Sequence, residues 1–258
     1  MSVRQGFTVE NGADLDASLS FAADHGFDFV ELNMDWTFER QRVDSEAVRE
    51  TAVEYGVDLL VHLPYRLDPG SPHEHVREGA CRELEAAIDA AVAFGAEKGV
   101  IHATSHAHPE KWNHEKIREY LYDSVRRLAD YGRERDFEVS VENLKTLFFD
   151  AGDFPDLFAE TDSVACLDTG HAYVTGQDAA AQADLLRTHG DRISHVHLNE
   201  TRRGDEDEHL PVGIGEFDFE TLAEAMDEAD WSGTCTHEVY TYDREYVAHG
   251  KAAFDRLL

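Results

Sequence analysis

Eight short runs rich in β-branched and aromatic residues recur from one end of this chain to the other, at residues 6–10, 27–32, 57–62, 99–102, 138–142, 164–168, 193–198 and 233–239. Each is followed by a stretch with helical periodicity. Two of these stretches are long: 74–94 stops at Gly95 and 115–131 at Gly132, and glycine is the residue expected just past a helix end. Strand alternating with helix throughout implies parallel strands joined by crossover helices. Eight such units close most economically into a single (β/α)8 TIM barrel. The 258 residues suit one such domain spanning 1–258, since single cores stop growing at roughly 250–300 residues. An open doubly wound sheet would carry a Gly-rich phosphate turn after its first strand, and Glu10-Asn11-Gly12-Ala13-Asp14 lacks that fingerprint.

Charge narrows the function classes. Against 54 Asp and Glu stand 23 Lys and Arg, a formal net charge of −31, and only 5 of the cations are lysine. Non-specific affinity for phosphates comes from clustered Lys and Arg, which argues against a general nucleic-acid coating protein. The carboxylates are spread along a chain that is 42 % hydrophobic, too apolar for a disordered acidic tail, and they read as the solvated surface that halophilic proteins use. Cys81, Cys166 and Cys235 are too few and scattered for a disulfide scaffold. Cys166 and Cys235 read as barrel filling. With no signal-peptide pattern and no window near about 18 uninterrupted apolar residues, the expected location is the cytoplasm, with no membrane partner.

Catalytic groups of a barrel come from the C-terminal ends of its strands and the loops that follow. Here those ends read His62 in VHLPY, His102 in VIHATSH, Glu142 in VSVENL, Asp168 in ACLDTGHA, and Glu238 in CTHEVY. His171 follows Asp168 by three residues, His195 and His197 share SHVHLNE, and the next loop holds Asp207 and His209 in DEDEHLPVGIGEFDF. Glu31 adds a carboxylate on the second run. Imidazoles and carboxylates converging on one mouth repel or lose hydration unless a cation sits among them. Nitrogen and oxygen ligands without thiolate suit a divalent metal of the Zn²⁺, Mn²⁺, Fe²⁺ or Co²⁺ kind, Zn²⁺ or Mn²⁺ foremost. Residues two apart share a face of a strand, so His195 and His197 both point inward if either does, with His197 nearer the mouth and His195 behind the ligands or against the substrate, while His237, next to Glu238, faces the helices.

These motifs resemble the xylose isomerase-like TIM-barrel superfamily, which includes sugar isomerases, ketose 3-epimerases and the endonuclease IV family. The resemblance runs over 27–239, and its most specific element is LDTGHA, HVHLNE and HLPVGIGEFDF in that order. It implies a metal-dependent enzyme of one of two branches. In the isomerase and epimerase branch one metal is held by Glu142, Asp168, His197 and Glu238. Glu142 and Glu238 then double as acid and base at the carbon beside a carbonyl. His171 orients substrate oxygens, and Arg203 holds a hydroxyl or phosphate of a small sugar or sugar phosphate.

In the endonuclease IV branch three zinc ions on nine ligands activate water against the phosphodiester of apurinic DNA. The nine positions here are His62, His102, Glu142, Asp168, His171, His197, Asp207, His209 and Glu238, and Tyr65 matches an aromatic inserted into DNA. Against that branch, Glu31 and the doubled histidine of HVHLNE look like the sugar isomerases, and 204–208 would set four carboxylates against a phosphate backbone. The isomerase or epimerase branch is the one expected, with one to three divalent ions. Endonuclease is the alternative, and a non-catalytic metal- or sugar-binding barrel the second. Glu31, His195, Arg203, Tyr65 and Trp36 are the expected substrate contacts, Lys145 a loop cation, and 243–258 a final helix burying Tyr246, Val247 and Phe254.

Overall fold

The computed structural model describes every residue except Met1, Asp205 and Tyr242. Strands β1 (Ser2–Val9), β2 (Phe29–Asn33), β3 (Asp58–His62), β4 (Lys98–His102), β5 (Glu138–Glu142), β6 (Val164–Asp168), β7 (Ile193–Leu198) and β8 (Ser232–His237) pair in parallel, in chain order. β1 pairs with β8 to close the circle, so the fold is a single (β/α)8 barrel. The helices are α1 (Leu15–His25), α2 (Ser45–Tyr55), α3 (Glu74–Phe94), α4 (His114–Arg133), α5 (Phe154–Glu160), α6 (Thr169–Val174), α7 (Ala179–His189), α8 (Phe219–Glu228) and α9 (Glu245–Phe254). Their starts are set locally. Asp14, Asp44, Asn113, Asp178 and Asp218 each accept an amide hydrogen bond from the first turn of the helix that follows. Among the described residues no helix is long and apolar enough to cross a membrane.

Three expectations need correction. Gly132 does not stop α4, which runs on to Arg133. A Cβ at Gly132 would lie 2.6 Å from the Phe137 carbonyl oxygen and 2.8 Å from Val139 Cγ2, so glycine stands there for the close approach of helix to strand. Tyr246 is 48 % exposed. The buried stripe of α9 is Val247, Gly250 and Phe254, and Tyr246 falls one residue, about 100° of helix, off it. Cys235 does not fill the barrel interior: it pairs in register with Val196 on the helix-facing side and belongs to the apolar layer there.

That layer, with Val61, Ile101, Val141, Leu167 and Val196 of the strands against Leu19, Ile88, Leu128, Leu186 and Leu222 of the helices, is the hydrophobic core. The opposite face of the strands carries Phe29, Leu60 and Val100 in its depths and, toward the C-terminal ends, a column of polar groups. Register aligns Glu31 beside Thr8, Asn33 beside His62, His102 beside Glu142, Glu142 beside Cys166, and Asp168 beside His197. The fold thereby stacks titratable groups along the barrel axis and apolar ones around it.

Candidate metal centre

At the C-terminal end of the strands the nine motif residues meet. His62 Nε2 and His102 Nε2 lie 3.2 and 3.1 Å from Glu142 Oε2. Glu142 Oε1 lies 3.2 Å from His171 Nδ1 and 3.7 Å from His197 Nδ1. His197 Nδ1 is also 3.2 Å from Glu238 Oε2 and 3.8 Å from Asp168 Oδ2. Asp207 Oδ2 receives His171 Nε2 and His209 Nε2, each at 3.1 Å, and Lys145 Nζ at 2.7 Å. Three groups result, each with its ligand atoms within 4.8 Å of one another: Glu142, Asp168, His197 and Glu238; His62, His102 and Glu142; His171, Asp207 and His209. Glu142 belongs to two of them. A fourth group, Cys166 with His195 and His197, lies deeper. Burial pushes the Cys166 thiol up to about 12, which keeps it protonated and a poor ligand.

Local sequence holds these groups in place. Asp168 ends β6 and caps α6, its Oδ1 accepting the His171 amide at 2.6 Å, which turns His171 back toward the site. Asn143 brackets Asp168, accepting from its N–H at 2.7 Å and donating to its carbonyl at 3.1 Å. Asn199 Nδ2 donates to Asp168 Oδ2 at 2.7 Å, an approach that requires Gly170, where a Cβ would lie 1.8 Å from Asn199 Oδ1. Glu200 Oε2 accepts from the amides of Gly213, Ile214 and Gly215 at 2.7, 2.8 and 2.8 Å. Its backbone pairs with Leu210, so the loop carrying Asp207 and His209 is fastened to the end of β7. His209 itself sits at φ 47°, a left-handed conformation costing a non-glycine residue roughly 1–2 kcal/mol. Tyr240 donates to Glu238 Oε1 at 2.7 Å, with its ring 4.5 Å from that of His209.

Electrostatics point the same way. Burial would raise the Glu142 and Glu238 carboxyls, yet the imidazoles facing them hold both well below the usual range. Burial, together with repulsion from Glu238 and Glu142 and against the pull of His171, pushes Asp168 up to about 7. His209 goes up to about 9 because Glu238 and Asp207 outweigh its burial. His197 Nδ1, Glu238 Oε2, His209 Nδ1 and Asp207 Oδ1 are buried without a hydrogen-bond partner among the described residues. Each such atom costs about 1–3 kcal/mol, and a cluster of lone pairs from imidazole and carboxylate is what a divalent cation of the zinc or manganese kind satisfies. The residues present fit such an ion.

The sequence pattern of the xylose isomerase-like TIM barrel matches residues 19–257. The chain belongs to that family. It is 26 % identical over 206 residues to a probable endonuclease 4 of Mycobacterium ulcerans, covering 78 % of this chain and 80 % of the relative. It is 23 % identical over 237 residues to an L-ribulose 3-epimerase of Methylomonas, covering 87 % and 78 %. Among solved structures, a D-tagatose 3-epimerase-like protein superposes with a TM-score of 0.82 over 98 % of this chain and 96 % of its own, at 23 % identity.

Within this xylose isomerase-like barrel, four of the five expected substrate contacts lie outside the opening. Glu31 and His195 are completely buried, one layer beneath the mouth. Glu31 Oε1 lies 3.3 Å from His197 Nε2, and Oε2 lies 3.2 Å from His195 Nε2 and accepts from Thr236 Oγ1 at 2.6 Å. The cause is the end of β2, which reaches Asn33 and sets that residue beside His62. Asn33 therefore takes the mouth position, and Glu31 becomes a support for His197. Tyr65 does line the opening, about 180 Å³, with Asn33, His62, His102, Glu142, His171, His209, Glu238 and Tyr240.

Arg203 is exposed and lines a separate depression with Arg202, Glu206 and Glu208. Trp36 is 58 % exposed and covered by the Arg42 guanidinium, 4.6 Å from its ring. Neither residue reaches the opening. Asn143, Asn199 and Glu200 stand inside the quoted motifs without any local sign of what they hold. Tyr240 has a signal in the chain: it follows Glu238 by two residues, the same-face spacing of a strand.

Proposed function

We propose that this protein is a metal-dependent isomerase or epimerase of a small sugar or sugar phosphate. The observation that carries this reading is the pair of buried carboxylates, Glu142 and Glu238, that share one four-residue ligand group with Asp168 and His197 and also border the opening. Glu142, Asp168, His197 and Glu238 would hold one divalent ion, which supplies positive charge for the oxygen that becomes negative when a proton leaves the neighbouring carbon. Glu142 and Glu238 take up and return that proton. The imidazoles facing them favour the ionised form, the state in which either can take the proton; the one that takes it becomes the acid that gives it back. Tyr240 orients Glu238 through its hydroxyl, and Glu31 braces His197 from beneath. The kinship with an L-ribulose 3-epimerase supports the substrate class.

A second reading rests on a specific observation. The three ligand groups and the likeness to probable endonuclease 4 are compatible with a trinuclear site cutting apurinic DNA. The acidic segment 204–208 weighs against a phosphate backbone, and Lys145 on Asp207 competes with a third ion. Elemental analysis of protein purified without chelator or affinity tag, followed by assays on ketoses, ketose phosphates and apurinic DNA, separates the two. One tightly held ion with exchange at a sugar carbon is the expected result. Three zinc ions with strand incision would replace it with the nuclease.

A further inference from the structure

Beneath the ligand groups a buried polar thread runs down the barrel interior to its far end. Lys98 opens β4 and pairs in register with Glu138. Its ammonium donates to the Ser194 carbonyl at 2.8 Å and to Thr234 Oγ1 at 3.0 Å, and lies 3.0 Å from Glu138 Oε1. Thr234 Oγ1 is 2.6 Å from His195 Nδ1. From there the thread passes through His195 Nε2 to Glu31 and on to His197 Nε2, at the distances given above. Lys98 is 8 % exposed, Thr234 4 %, and Glu31, His195 and His197 not at all.

Donor and acceptor chemistry gives this thread a direction. An ammonium has donors only, so the Thr234 oxygen accepts from Lys98. His195 Nε2 faces a carboxylate and carries the hydrogen. A neutral imidazole has one N–H, which leaves His195 Nδ1 bare to accept the Thr234 hydroxyl, in preference to the Ser194 carbonyl at 3.4 Å from that hydroxyl. The same rule applies one step higher. With His197 Nδ1, on the Glu142, Asp168 and Glu238 side, given to a cation held there, the single ring hydrogen sits on Nε2, 3.3 Å from Glu31 Oε1. Among the described residues neither Glu31 Oε1 nor His197 Nε2 has a hydrogen-bond partner, so each is the nearest group of opposite kind left for the other.

We propose that Lys98 is a positioning residue. Acting through Thr234, it fixes the ring hydrogen of His195 and, through Glu31, the nitrogen that His197 offers to a metal. The proposal rests on the metal reading above, though not on the reaction. The test uses zinc-loaded protein with ¹⁵N-labelled histidine, in which long-range ¹H–¹⁵N spectra separate bare from hydrogen-bearing ring nitrogens, with His195→Gln as the assignment control. Thr234→Val cuts the thread at nearly constant shape, and Thr234→Ser keeps it.

Wild type and Thr234→Ser are expected to show His195 with a bare Nδ1. Thr234→Val and Lys98→Met are expected to lose that single pattern, and their zinc affinity, read by competition with a chromophoric chelator, to fall about tenfold, the lower end of the effect of outer-shell partners. Hydrogen on Nδ1 of His195 in wild type, or a Thr234→Val protein with unchanged pattern and affinity, overturns the proposal. A changed pattern with unchanged affinity overturns its reach to the metal. If Lys98→Met fails to fold, the Thr234 pair decides. If wild type takes up no zinc, the metal reading fails, while the ring pattern in metal-free protein still tests the thread.

Discussion

Glu142 is the residue on which most converges: two imidazoles on one oxygen, two more near the other, and membership of two ligand groups. Glu142→Gln is nearly isosteric but uncharged, so turnover should be lost and metal affinity weakened while the circular-dichroism melt stays close to that of wild type; full activity and metal content in this variant would sink the assignment. Lys145 makes a different prediction. Its ammonium is half exposed and shares Asp207 Oδ2 with His171 and His209, so it competes with any cation for that oxygen. Lys145→Met should strengthen uptake of a second ion by about tenfold, one charge-assisted contact of about 1.5 kcal/mol, measured by titration calorimetry on protein already holding one. His62, His102, Glu142 and Asp168 could be read from the chain because a barrel delivers the last inward residue of each strand to one mouth, whereas the full set of nine, with His171, Asp207 and His209 among them, came with the family resemblance. Glu31 could not be read so, since β2 ends one residue beyond the apolar run and so moves the mouth position to Asn33.

At the scale of elements, strands β5, β6 and β7 end where the hydrophobic runs end, and α3 stops at its glycine. What could not be read is how one element grips the next. Gly132 looks like a helix stop in the chain and is a contact point in the fold. Gly170 looks like ordinary turn chemistry in LDTGHA, yet it makes room for Asn199 against Asp168 across the β6 and β7 ends. Gly170→Ala should therefore cost about 1–3 kcal/mol, the usual penalty for forcing an extra carbon into a packed site, read as a shift in the urea midpoint. Gly176, at φ +97° with nothing within 4 Å of its Cβ position, is the comparison. There an alanine pays for backbone strain alone and leaves Asp168 undisturbed, so metal affinity should fall in the first variant and hold in the second.

For the molecule as a whole, the closed circle of strands sorts charge inward and outward at once, and its acid stability follows from the histidines it hides. His237 lies between Phe27 and Phe254, its Nε2 3.0 Å from Gln5 Oε1, and burial pushes it down to about 3. Unfolded, it titrates near about 6.5. Between those values the unfolded chain binds a proton that the folded one refuses, so stability is full above the upper value and declines as pH falls toward the lower, by at most about 1.4 kcal/mol per pH unit. Urea melts at pH 7 and pH 5 should show a smaller difference for His237→Gln than for wild type; equal differences would mean the ring is protonated in the fold. The clasp made by Glu200 has a wider consequence. It holds peptide amides rather than side chains, so it is indifferent to most of the sequence it encloses. Apart from Asp207, His209, the glycines, the buried Pro211 and Val212, and Glu208 with the Arg202 it bonds, the segment between Thr201 and Gly215 is a cartridge in a fixed socket, and new specificities can be sought there without reopening the barrel.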